Sequence, residues 1–345
     1  MKRMREASMQ DRFDDRLRSI PAGAFHGLLR RLSAVEGFRG RWESARKPGS
    51  QVLLRIRESV ASRSASASCR IAGERRAGAD SGYAEALRAV FDGHASIPPT
   101  EGNLLALHAA MFRHVPEERP AAGRYKSAGL RERSDRDFLS EPVALRSPGP
   151  LLIPAQMETL SAWLPSRLEG GEFHPLLVVA AYLLEFLAIR PFADGNGRVG
   201  RLLTNLLLLR CGHAYLPYGS LDAAIHARGD EHHLALRRSQ AIRNLPRPDI
   251  SPWLFAFLDA LSVQQSEANG VIAHLPGEHA LSANQAAVMD LAAKEGEVTN
   301  RRVASMLGLP RETAKQTLNR LVALGALRRL GAGRATRYHP WSGES

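Results

Sequence analysis

Along most of the chain, apolar residues recur every three or four positions, the spacing that lines one face of an α-helix. Phe13, Leu17 and Ile20, then Phe25, Leu28, Leu29 and Leu32, predict a short helical arm interrupted at Pro21 and Gly23. After a loop at residues 47–50 the pattern resumes over 52–61 and runs into 62–68, a serine and alanine stretch that by composition alone reads as a linker. Further helices are predicted over 83–91, 104–112, 157–164, 175–189, 199–211, 222–243 and 252–265. Residues 124–150 follow neither period and are rich in Arg, Ser, Asp, Gly and Pro, so an exposed excursion holding a short hairpin is expected there. The greasiest run, 175–189, is too short to cross a bilayer with margin and contains Glu185, which makes it a buried core helix. The body is therefore all-α and no membrane partner is expected. A break at Leu275-Pro276-Gly277 divides the chain into an N-terminal arm (1–50), a helical body (51–275) and a terminal domain (276–345).

Composition adds little to this outline. A chain of 345 residues with a formal charge of +12 suits two or three domains with a basic surface, which attracts phosphates at long range. Lysine occupies only positions 2, 47, 126, 294 and 315, so the charge is almost all arginine in an alanine-rich chain and selects no ligand by itself. Cys69 and Cys211 stand far apart without metal-ligand spacing, and the charged N-terminus lacks the apolar segment of a secretory signal. Both features predict a reducing, cytoplasmic setting. His232 and His233 adjoin in sequence, diverge on a helix and make no metal site.

Candidate chemistry concentrates in residues 189–201, IRPFADGNGRVGR, between two apolar helices. Gly195 and Gly197 let the backbone approach a ligand, and the amides opening the next helix favour an anion. Asn196 is suited to donate to a phosphate oxygen and Asp194 to hold Mg2+ through its carboxylate. Arg198 and Arg201, three apart on one helical face, are placed to fork onto phosphates.

This stretch resembles the signature of the Fic (Fic/Doc, Fido) family: His, any, Phe, any, Asp or Glu, Gly, Asn, Gly, Arg, two of any kind, Arg. Every defined position matches except the first, where Arg190 stands. The likeness extends to Gly123-Arg124-Tyr125-Lys126, 174–177, 185–189, 215–218 and 234–240. It implies a Fic fold with a β-hairpin flap in the excursion that docks a protein target, near Arg131, Arg133 and Arg136. It also implies an ATP site that transfers AMP to a protein hydroxyl with Mg2+, Tyr215 and Tyr218 being packing aromatics or adenine neighbours. In such a site the residue at position 190 removes the hydroxyl proton, which an arginine cannot do because it keeps its charge at neutral pH.

A second departure concerns restraint. Ser68-Cys69-Arg70-Ile71-Ala72-Gly73 resembles the inhibitory helix motif of many Fic proteins, with Ala72 where a glutamate would pair with Arg201. Glu74, two residues further and about 200° around a continuing helix, is expected to point away.

In the terminal domain the order helix, helix, turn, helix and hairpin resembles a winged helix-turn-helix. Its helices are expected at 283–294, 300–307 and 311–324, with strands at 327–330 and 335–338. Thr313, Thr317, Leu318 and Leu321 would face inward, leaving Arg311, Lys315, Asn319 and Arg320 for a DNA groove and Arg334 and Arg337 on the wing for phosphate. Contacts with a protein or within a homodimer are the other use of this fold. Two functional readings stand: a nucleotide-binding pseudoenzyme acting as a regulator on DNA or a partner, and an adenylyltransferase still active without its inhibitory glutamate.

Overall fold

The computed structural model describes residues 2–45, 49–116, 121–127, 147–273, 282–323, 326–331 and 336–340. The flap expected around Arg131, Arg133 and Arg136, the Leu275-Pro276-Gly277 break and Arg334 at the wing tip lie outside the described residues. The chain divides into two compact units, Met1–Ala273 and His274–Ser345.

The first unit is helical: α1 (Lys2–Arg18), α2 (Ala22–Ser44), α3 (Ser50–Ile71), α4 (Ala79–Gly93), α5 (Glu101–Met111), α6 (Ile153–Gly170), α7 (Pro175–Ile189), α8 (Asn196–Arg210), α9 (Leu221–Ala227), α10 (Gly229–Ile242) and α11 (Ser251–Ala273). At its centre lie α7 and α8. Leu176, Val179, Leu183 and Phe186 of α7 and Val199, Leu202 and Leu206 of α8 are within 2% of complete burial, the pattern of helices enclosed on all sides. No helix among the described residues is long and apolar enough to cross a membrane.

The N-terminal segment is part of this core rather than an arm beside it. Phe13, Leu17, Val35, Phe38 and Trp42 join the same buried cluster. Asp14 ties α1 to α6 through Trp163 Nε1 (2.9 Å) and a forked contact from Arg167. Phe25 and Leu29, two of the apolar positions in the N-terminal pattern, are 50% and 62% exposed. α2 turns Leu28 inward, and Gly27 sits against the ring of Phe255.

Residues 62–68 are not a linker but the second half of α3. Ala61, Ser64, Ala65, Ala67 and Ser68 are buried, because small side chains let α4 and α9 approach closely. Ser64 Oγ meets Ser220 Oγ at 2.7 Å there. Composition suggested flexibility, while the packing uses the absence of bulk.

The second unit comprises α12 (Ala283–Glu295), α13 (Asn300–Leu307), α14 (Arg311–Ala323) and the antiparallel strands β1 (Leu327–Leu330) and β2 (Arg337–Pro340). Ser282 and Gln285 form a capping box on α12, and Thr299 caps α13. Val288, Val303, Ala314, Leu318, Leu321, Leu327 and Tyr338 make a separate small core. The small C-terminal hairpin fits a winged-helix element. Its second strand begins at Arg337, two residues later than expected, in register Leu330↔Arg337.

Three buried histidines make the first unit acid-sensitive. Burial lowers His108 and His213 to about 4 and His232 to about 3. The folded values lie below the ordinary value near 6.5, so the unfolded chain takes up protons first. The stability these residues contribute is complete above that pH and declines as pH falls toward 4. Each accounts for about 2 kcal/mol at pH 5, so the thermal midpoint should drop by about 10 °C between pH 7 and pH 5. Calorimetric melting at the two pH values checks this, and an unchanged midpoint contradicts it.

Candidate functional site

The loop between α7 and α8 is built by two left-handed residues. α7 ends where Arg190 (φ 49°, ψ 63°) caps it, its N–H donating to Phe186 O at 3.0 Å. It is the one positive-φ residue other than glycine among the described residues, and for an arginine that conformation costs about 1 kcal/mol. Gly195 (φ 79°) then opens α8, and a Cβ there would lie 2.6 Å from Met111 Cε. Strain at a non-glycine residue beside a glycine turn is characteristic of functional loops.

Asn196 holds the loop closed. Its Oδ1 accepts from Phe192 N and its Nδ2 donates to Phe192 O, both at 2.9 Å, and the residue is 1% exposed. Expected as a phosphate donor, Asn196 uses both of its side-chain polar atoms on the loop backbone here. His108 of α5 supports the same turn from the other side. Gly123 N–H donates to His108 Nδ1 (2.8 Å), which places the proton on Nε2, 3.1 Å from Asp194 O. The imidazole also stacks on Phe192 at 3.8 Å.

The charged groups form a closed ring. Asp194 Oδ1 accepts from Gly195 N and lies 3.4 Å from Arg198 Nη2, while its Oδ2 meets Arg76 Nη2. Arg76 in turn grips Glu74, whose Oε2 lies 3.1 Å from Arg198 Nη1. Arginine and carboxylate alternate around it, and both guanidinium groups lie over the Phe112 ring, at 5.5 Å for Arg76 and 4.8 Å for Arg198. Burial raises the Glu74 carboxyl, but hydrogen bonds from Arg76 and the charge of Arg198 outweigh it and hold the group down to about 2.

Glu74 therefore does not point away. The helical-wheel argument fails because α3 stops at Ile71. Gly73 (φ 60°) terminates it, with Gly73 N bonded to Arg70 O and Glu74 N to Cys69 O, the two bonds of a Schellman motif. The chain then turns back over the loop and re-enters a helix at Gly78 (φ 82°). Gly73 right after a helical run was the available signal. Arg76, His108 and Phe112 carried no local signal, since only the packing of α3, α5 and α8 brings them to the loop.

Arg201, expected beside Arg198 on a ligand, is committed elsewhere. It donates to Ser68 Oγ (2.9 Å) and Ser68 O (3.0 Å) and pairs with Asp222 at 3.1 Å, while Tyr83 OH donates to the same carboxylate. Burial raises the Asp222 carboxyl and Arg201 opposes the rise. Ala72 makes no such pair; Asp222, from α9, does.

A divalent cation fits this arrangement poorly. Asp194 is the residue expected to hold Mg2+, yet a guanidinium stands on its Oδ2 and a backbone amide on its Oδ1. No grouping of three His, Cys, Asp or Glu side chains suited to a metal occurs among the described residues. Tyr215 is a packing residue, fully buried against Phe38 with its hydroxyl on Gln265.

With this geometry in view the comparisons are specific. Residues 98–208, which span α5 to α8, match the Fic/DOC family. The chain carries a Fic/DOC family domain. Over 114 residues it is 33% identical to the protein adenylyltransferase Fic of Nematostella vectensis, a match covering 33% of this chain and 23% of that protein. The Aedes aegypti protein of the same name is 41% identical over 66 residues, 19% of this chain and 13% of its own length. The matches thus span less than a quarter of these relatives. A Fic family protein from Desulfovibrio desulfuricans G20 aligns over 92% of this chain and 96% of its own, with a TM-score of 0.56 and 25% identity. A Fic domain containing signaling protein from Bacteroides thetaiotaomicron shares the fold at TM-score 0.51 and 18% identity, over 69% and 98% of the two chains.

If Asn196 braces the loop, Asn196→Ala strands the buried Phe192 N–H and C=O and should cost about 2–4 kcal/mol. Urea unfolding measures this; an unchanged midpoint would return Asn196 to the role of a ligand contact.

Proposed function

We propose that this chain is a nucleotide-binding Fic scaffold in which AMP transfer is impaired, acting through its C-terminal unit as a regulator on DNA or a protein partner. The observation that carries the reading is Arg190. It caps α7 directly before the loop, at the position where the family signature has its general-base histidine. A guanidinium stays protonated at neutral pH and has no lone pair for a hydroxyl proton. Losing a positioned base lowers a rate about 10²- to 10⁴-fold. The parts of the loop that would receive a nucleotide remain: the glycine turn, the amides opening α8, and Arg198. The rival reading, an active transferase freed by the loss of its inhibitory glutamate, is weakened by the Glu74 pair with Arg198.

For the second unit, support comes from α14. Arg311, Lys315, Asn319 and Arg320 are all exposed, while Ala314, Thr317 and Leu318 face the small core. This is the division that a recognition helix requires. Arg337 at the hairpin is paired with Glu297 at 3.4 Å, which leaves it less suited to phosphate than α14.

ATP should bind the full-length protein in calorimetric titration, while labelled ATP marks only the Arg190→His variant and not the parent. Self-labelling by the parent would refute impaired transfer, and absence of ATP binding would refute the nucleotide site. Full-length protein should also retard duplex DNA at low salt, and Arg311→Ala with Arg320→Ala should weaken that retardation about tenfold. Retardation unaffected by the pair would exclude α14 as the DNA-reading element.

A further inference from the structure

Asp194 is the one carboxylate in the loop between α7 and α8, and both of its oxygens are already engaged. Oδ1 accepts from Gly195 N at 2.5 Å and lies 3.4 Å from Arg198 Nη2, and Oδ2 accepts from Arg76 Nη2 at 2.5 Å. The residue is 8% exposed. A magnesium ion needs oxygen ligands at about 2.1 Å in a near-octahedral shell and gives up its waters reluctantly. At Asp194 such an ion would share Oδ2 with a guanidinium, so two cations would meet on one oxygen where little water screens their repulsion.

The position of Arg76 is fixed from its own turn. Its Nε donates to Glu74 Oε1 (2.9 Å) and Oε2 (3.0 Å), and its backbone N–H donates to the same Oε1 at 2.8 Å. The turn runs between left-handed Gly73 and Gly78, and Gly78 is seated so closely that a Cβ there would come within 2.4 Å of the His114 carbonyl oxygen. The guanidinium lies over the Phe112 ring at 5.5 Å. Hydrogen bonds to Glu74, and then to Asp194, outweigh burial and raise its pKa further, so it is a permanent cation.

We propose that Arg76 is a built-in substitute for a divalent cation: it takes the metal's place on Asp194, which binds no Mg2+, and gives the loop a fixed positive charge, so that a phosphate chain is bound without metal. The last step rests on the reading of this loop as a nucleotide site. A guanidinium offers planar N–H donors to phosphate oxygens where a metal ion would offer open coordination positions. The ligand class is therefore a nucleoside polyphosphate free of magnesium.

The test uses the full-length protein with two probes. Mn2+ reports the metal, through loss of the free-ion signal in electron paramagnetic resonance; only uptake that is lost on adding Asp194→Asn is counted. ATP in EDTA or in excess Mg2+ reports the ligand, by calorimetric titration. The parent, Arg76→Met and Arg75→Met are compared, the last removing the same charge from an exposed neighbour. Arg76→Met should take up Mn2+, and the parent and Arg75→Met should not. ATP should bind the parent equally, within about threefold, in EDTA and in Mg2+, whereas Arg76→Met should lose at least about tenfold in EDTA and recover it with Mg2+. Mn2+ uptake by the parent overturns the proposal whether or not the variants fold, which thermal melting checks. A folded Arg76→Met that takes up no Mn2+ overturns it too, as does uptake by Arg75→Met. If ATP binds the parent and Mg2+ tightens it beyond that margin, the proposal falls and the nucleotide reading stands. If ATP binds under neither condition while Mn2+ behaves as expected, the nucleotide reading falls and the substitution on Asp194 stands.

Discussion

A guanidinium that is 1% exposed has to be neutralised where it stands, because an unpaired charge in a protein interior is far more costly than any single packing defect. Arg198 is that group, and much of the architecture around the loop answers to it. Asp194 comes from the turn just before α8, Glu74 from the chain leaving α3, and Phe112, the residue that follows α5, offers its ring face. Arg76 closes the circuit by joining the two carboxylates. The requirement couples elements distant in sequence, since α3, α5 and α8 must be correctly packed before the ring of charges can close.

The same economy appears at Arg201. Its partners, Ser68, Asp222 and Tyr83, come from α3, α9 and α4, so the second arginine works as a structural clasp. Two arginines that look equivalent in a motif thus meet different partners according to what the surrounding helices supply. Asn196 and His108 show a related division of labour. Both fix the loop backbone by bonding to main-chain atoms.

Much of the fold was legible from periodicity. The helix over Pro175–Ile189 matches its apolar run, and the inward and outward faces of α14 follow from a 3.6-residue repeat, because helix burial is periodic and local. The linker-like composition of residues 62–68 and the exposure of Phe25 and Leu29 have one physical reason. Whether a small or apolar side chain is buried depends on what lies opposite, and sequence carries that information only through distant residues.

By itself the sequence determined the all-α body, the Fic/DOC loop, the arginine at position 190 and the basic outer face of α14, since each is written in local order and spacing. Tertiary structure alone decided that Glu74 reaches Arg198 and that Arg201 belongs to Asp222. It also decided that Arg76 stands on Asp194. The physical reason is that one left-handed glycine, Gly73, redirects the chain after α3, and the pairing of buried charges then follows through-space distance rather than separation along the chain.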